Sequence, residues 1–121
     1  MSMERREAAL NNMSVGPGDD LLYIVASSTN TSDTLEVFEQ VVRVDTETNA
    51  QAFTLTLPNV SAAKGKIYDI ELELDDADLT VQDNDNDAGL TDIVMDTAGD
   101  YVVLMSNGFM WRELAADVYS H

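Results

Sequence analysis

An all-β fold, a small antiparallel β-sandwich or barrel behind an extended N-terminal arm, is predicted by three features of this 121-residue sequence. Short runs alternate apolar and polar residues with a period of two, most plainly at residues 53–57 and 67–74. Turn-forming Gly, Asn, Asp and Pro recur between those runs. No long stretch carries the 3.6-residue apolar period of an amphipathic helix, and no internal repeat is visible, so short strands must build the core.

The elements follow in chain order. Residues 1–20 hold Ala8, Ala9 and Leu10 within a charged segment and then the run Ser14-Val15-Gly16-Pro17-Gly18, where Gly-Pro-Gly forbids continuous helix or ladder pairing. They read as an arm and hinge, and residues 21–121 as a single β-domain. Residues 21–26 are a compact apolar run of strand length, and residues 27–33, rich in Ser, Thr, Asn and Asp, are a loop by composition. Residues 35–44 mix two apolar faces, with Val41 beside Val42, and predict a bulged or doubly covered strand, a helix being the alternative.

Residues 53–57 put Phe53, Leu55 and Leu57 on one face and Thr54 and Thr56 on the other, and Pro58 ends the strand. In residues 67–74, Tyr68, Ile70, Leu72 and Leu74 point one way, while Asp69, Glu71 and Glu73 form a carboxylate stripe facing solvent. Leu79 with Val81, and Ile93 to Met95, are short strands flanking a polar turn at 83–89. Residues 101–105 are apolar on both faces, as expected for a strand lying centrally or beneath a partner subunit. Asn107-Gly108 is a strong hairpin signal before a closing strand that starts at Trp111.

Charge narrows the function. The chain has 23 acidic and 6 basic residues, a formal net charge of −17. Self-repulsion of that size weakens a compact state unless molar salt shortens the Debye length to about 3 Å, so a halophilic source is expected, a basic partner being the alternative explanation. Nucleic acid is excluded as a partner by the absence of a basic cluster beyond Arg5-Arg6. No apolar run approaches the roughly 18 residues of a membrane span, and the first residues lack the apolar core of a secretory signal. Cysteine is absent, so stability is expected from packing and association rather than disulfides.

Residues that suggest chemistry are few. Asp83, Asp85 and Asp87 alternate hard oxygen donors as the start of a calcium loop does. Ala88 then stands where that loop needs Gly, and Val94 where it needs a bidentate Glu. The segment therefore reads as a solvated turn, with a loose Na⁺, K⁺ or Ca²⁺ site drawn from a high-salt medium as its other reading; no cofactor is expected. Adjacent carboxylates such as Asp75-Asp76 lack the opposed geometry of a glycosidase pair, and the one His is terminal His121. An enzyme is not expected. Trp111, with Tyr68, Tyr101, Phe109 and Met110, reads as core in preference to a sugar-binding platform. The sequons at Asn12, Asn30 and Asn59 gain meaning only in a glycosylating context.

The segment FTLTLPNVSAAKGKIYDIELEL, the Asp/Asn turn after it, and TAGDYVVLMSNGFMW with its last strand together resemble the small β-modules on structural proteins of tailed double-stranded DNA viruses. In such modules an alternating strand ends in Leu-Pro, here Leu57-Pro58. An Ala/Ala-x-Gly turn, here Ala62-Ala63-Lys64-Gly65, opens a strand of the x-Tyr-x-Ile type, and a Ser-x-Gly-x-x-Trp turn, here Ser106 to Trp111, closes the sheet. The resemblance covers about half the chain. It implies a burial of Trp111 against the sheet and association in threes.

Together these readings predict a capsid decoration (cement) protein on the outer capsid surface of a tailed virus with a halophilic host, assembled in the host cytoplasm. Its partners would be the major capsid protein or other virion proteins, and neither nucleic acid nor membrane. Arg5, Arg6, Leu10 and Val15 of the arm are the expected contacts with the capsid lattice or a sister subunit, and Tyr101, Val103 and Met105 the expected interface of a homotrimer. A turret, spike or tail-fibre module that contacts the host surface, with carbohydrate as its ligand, is the alternative.

Overall fold

The computed structural model describes residues 21–84 and 89–117. Its strands are β1 (Leu21–Val25), β2 (Ser32–Thr34), β3 (Val41–Asp45), β4 (Phe53–Thr56), β5 (Ile67–Leu74), β6 (Leu79–Gln82), β7 (Ile93–Met95), β8 (Tyr101–Ser106) and β9 (Trp111–Asp117). They form two sheets, a larger one in the order β1-β3-β5-β8-β9 and a smaller one in the order β2-β4-β6-β7. The all-β sandwich is as expected, and neither sheet closes into a barrel.

Strand direction differs from the antiparallel expectation. From β1 to β6 the chain alternates between the sheets, so that β1, β3 and β5 lie parallel in one and β2, β4 and β6 parallel in the other. Among the described residues the strands that pair antiparallel are β5–β8, β8–β9 and β6–β7, and an isolated antiparallel bridge joins Ser27 and Asn30. The reason is physical: a parallel pair needs a crossover, and here each crossover is itself a strand of the opposite sheet. The first half of the chain is therefore a short two-sided coil, and hairpins finish it. Its coils are unequal in length, Leu21 standing beside Val41 but Val41 beside Asp69, so the sequence shows no period.

Burial follows the period of two. Phe53 and Leu55 of β4, Leu79 and Val81 of β6, and Met95 of β7 face Tyr68, Ile70 and Leu72 of β5 and Val102 and Leu104 of β8 in one core cluster. Each such side chain, fully removed from water, contributes about 1.5–3 kcal/mol. All five residues of β3 are buried, which fits the expectation of a strand covered on both faces.

Other boundaries move. Residues 35–40 are not strand: Glu39 N–H donates to the Glu36 carbonyl, and the Glu39 carboxylate accepts from Glu36 N–H at 2.7 Å, making a turn that leaves Phe38 73% exposed. The Val- and Phe-rich composition misled here, because only Leu35 of that stretch is buried. Within the predicted 27–33 loop, β2 is a polar, fully exposed edge strand whose pairing to β4 leaves no apolar mark. Leu74 is exposed instead of core-facing, since the β3–β5 register shifts between Val44 and Asp45.

Candidate functional site

Two turns, Ala62–Gly65 before β5 and Ser106–Met110 between β8 and β9, meet at one corner of the sandwich. Gly65 N–H donates to the Ser106 carbonyl at 2.8 Å, Ser106 N–H donates to the Lys66 carbonyl, and Ser106 Oγ donates to the Val60 carbonyl. Asn107 Oδ1 accepts from Phe109 N–H and Met110 N–H, both at 2.9 Å, which shapes the β8–β9 turn. Gly108 is required there: its φ is +94°, and a Cβ at this position would come within 3.0 Å of Lys64 Cδ. Trp111, opening β9, packs edge to face on Tyr68 and is 7% exposed, as expected for core.

Beside this corner lies a groove of about 570 Å³ between the edges of the two sheets. Leu90, Ile93 and Val94 line one side, Met110 and Trp111 the other, and Asp92 and Glu113 place a carboxylate on each. The indole Nε1 of Trp111 is buried and has no hydrogen-bond acceptor. A buried N–H without an acceptor costs about 1–3 kcal/mol of stability, and the groove itself offers apolar side chains flanked by carboxylates. Phe109, 80% exposed, and Met110 project at its end. Sequence reasoning missed the groove, because Asp92, just before β7, and Glu113, on β9, are distant in sequence.

The outer face of the larger sheet gathers a second group. Register sets Leu21, Val41, Asp69, Val103 and Ala115 in one row and Tyr23, Arg43, Glu71, Tyr101 and Asp117 in the next. Arg43 lies 8% exposed on this face, its Nε 3.2 Å from Glu71 Oε1 and its Nη1 3.8 Å from Asp69 Oδ1. The predicted solvent-facing stripe on β5 is therefore corrected at two of its three members: Glu73 is exposed, but Asp69 and Glu71 are half-buried against a guanidinium. A lone Arg inside the run Val-Val-Arg-Val was the available signal. Tyr101, Val103 and Met105 stand half-buried on the same face, while Val102 and Leu104 supply the core. On β1, Leu21, Tyr23 and Val25 are 38–46% exposed. Burial, and then a hydrogen bond and charge repulsion from Glu73, raise the pKa of Tyr23.

At one end of the sandwich the turn after β5 and the turn before β8 bring Asp75, Asp76, Asp78, Asp96 and Asp100 within electrostatic range. Burial, then repulsion from Asp96, Asp78, Asp76 and Asp100, raises the Asp75 pKa. Asp83 is buried, and its Oδ2 accepts from Leu90 N–H at 2.9 Å. Asp85 and Asp87 lie outside the described residues, as do Arg5, Arg6, Leu10, Val15, Asn12 and His121. Among the described residues, no group of three or more Asp, Glu or His side chains is arranged to hold a metal ion. Asn59 spends its side-chain oxygen on Ser61 N–H, Ser61 Oγ and Ala62 N–H, a local turn, and the Asn30 amide donates to the Val25 carbonyl.

No protein-family model, curated protein or solved structure matches this chain.

Proposed function

We propose that this chain is a virion structural protein, a capsid decoration protein that reinforces the head of a tailed virus with a halophilic host. The observation that carries the reading is the corner at Ser106. There the Ala-Ala-Lys-Gly turn with the Tyr68 strand that it opens, and the Ser-x-Gly-x-x-Trp turn about 40 residues later, are joined by hydrogen bonds and the Tyr68–Trp111 contact. A net charge of −17 supports a protein working in molar salt and disfavours nucleic acid as its partner. Decoration needs no chemistry: a small rigid domain, repeated many times over a lattice, multiplies a modest contact. The half-buried face of Tyr101, Val103 and Met105 serves a homotrimer in this reading, and residues 1–20 reach the capsid lattice or a sister subunit.

The test is copurification. Particles banded in a density gradient should carry the chain in stoichiometric amounts, located on the outer capsid surface by imaging of labelled protein. A chain abundant in infected cells yet missing from intact particles would remove the proposal. A second reading, a turret, spike or tail-fibre module contacting the host surface, is favoured by Phe109 and Met110, which stand exposed at the end of the groove. Label confined to vertices or tails would select it.

A further inference from the structure

The groove between β7 and β9 has the build of a strand-accepting site. β9 is the last strand of the larger sheet and β7 the last of the smaller, and among the described residues each pairs along one edge alone. β9 thus offers a seven-residue row of backbone donors and acceptors. Beside that row lies an apolar floor of Leu90, Ile93, Val94 and Met110. An extended peptide supplies both needs: main-chain hydrogen bonds for the edge and small apolar side chains for the floor.

Charge selects the occupant. Asp92 and Glu113 put a carboxylate on either side of the groove, in a chain that has 6 basic residues. Two of those six, Arg5 and Arg6, are adjacent, and Met3, Ala8, Ala9 and Leu10 beside them are small or flexible enough to lie on an apolar floor. Residues 1–20 lead directly into β1, which stands at the opposite edge of the larger sheet from β9. Four inter-strand spacings, about 19 Å, separate those edges. An extended 20-residue segment spans up to about 66 Å, so its own groove and that of a second copy are both within reach, and the crosslink below decides between them. We propose that residues 1–20 of one copy add as a strand in the groove between β7 and β9 of a second copy, with Arg5 and Arg6 facing Asp92 and Glu113. Such a contact is heterologous, and head-to-tail repetition of it gives a ring where the rotation closes and a filament where it does not.

The inference rests on the reading of the chain as an assembling protein, yet its test is independent of any particle. Cysteine is absent, so full-length chains carrying Arg6→Cys or Glu113→Cys can be mixed and treated with a short bis-maleimide. Docking predicts a crosslinked dimer of the two variants at roughly tenfold or more the yield given by Arg6→Cys with Ser32→Cys, a control on the exposed strand β2. Arg5→Glu added to the Arg6→Cys chain should bring the crosslink yield down to that of the control, and Asp92→Lys added to the Glu113→Cys chain should restore it. A yield no higher than the control, or a crosslink formed solely within one chain that carries both cysteines, overturns the proposal. Copurification with particles but no crosslink defeats this inference alone; a crosslink without copurification defeats the decoration reading alone.

Discussion

Tyr68 and Trp111 meet edge to face with 5.5 Å between ring centroids and 78° between ring planes, joining the strand that follows the Ala-Ala-Lys-Gly turn to the strand that follows the Asn-Gly turn. The pair sits in the core cluster, so the contact adds roughly 0.5–1.5 kcal/mol to the burial of both rings. Trp111→Ala should therefore lower unfolding free energy by about 3–5 kcal/mol, read from urea denaturation in high salt. Trp111→Phe keeps an edge contact and removes the unpartnered Nε1, and should cost distinctly less. Equal losses in the two variants would mean that the ring contact contributes nothing.

Burial pushes the Tyr68 hydroxyl up to about 12, and its O–H donates to the Val37 carbonyl at 2.6 Å. The sign follows directly. Below pH 10 the phenol is neutral in both folded and unfolded chains, and stability is unaffected; between 10 and about 12 the unfolded chain ionises and the folded one does not. Stability should fall across that window, less steeply in Tyr68→Phe. Ultraviolet titration at fixed salt should show one tyrosine ionising only as the fold opens, and Tyr68→Phe should cost about 1–2 kcal/mol at neutral pH by leaving the Val37 carbonyl without this donor.

What could be read in the residues was alternation, and what could not was where each strand goes next. Phe53 and Leu55, Tyr68 with Ile70 and Leu72, and Leu79 with Val81 declare their inward faces locally, because a half-buried strand must alternate. Asn107-Gly108 likewise declares its hairpin. The parallel coil from β1 to β6 has no such mark, since crossing to the opposite sheet demands no particular residue. β2 escaped notice because a three-residue exposed edge strand needs no apolar side chain. The groove was invisible for the same reason as the coil: Asp92 and Glu113 become neighbours through the packing of two sheets, and nothing local announces it.

Arg43 presents a different kind of prediction. Its guanidinium is buried on the outer face of the larger sheet against Glu71 and Asp69, and it also donates to the Val42 carbonyl at 3.1 Å. Arg43→Leu preserves bulk but sets two half-buried carboxylates side by side without this counter-charge. The loss should be about 2–4 kcal/mol, and Lys at this position should recover only part of it, lacking the planar fork that reaches both acids. A double variant, Arg43→Leu with Glu71→Leu, should recover more stability than Lys does. Thermal melts of the three variants decide the matter, and an unperturbed Arg43→Leu would show that the pair is a solvated surface contact.

Salt dependence closes the electrostatic argument. With a net charge of −17, the folded chain gathers Asp75, Asp76, Asp78, Asp96 and Asp100 at one end, and the Asp75 pKa is raised by burial and then by the other four. A carboxyl whose folded pKa is raised favours the fold below its unfolded value, near 4, and loses that contribution as pH rises through the folded value. At neutral pH Asp75 therefore opposes folding. Asp75→Asn should raise the melting temperature at pH 7, more in about 0.1 M salt, where the Debye length is about 10 Å, than in about 1 M salt, where it is about 3 Å. The same substitution should have little effect below about pH 4, where the native carboxyl is already neutral in both states. For the native chain, circular dichroism should show the melting temperature falling steadily on dilution from about 1 M to about 0.1 M salt. A native chain indifferent to salt would refute the inference that this charge is matched to a saline medium, whatever Asp75→Asn does.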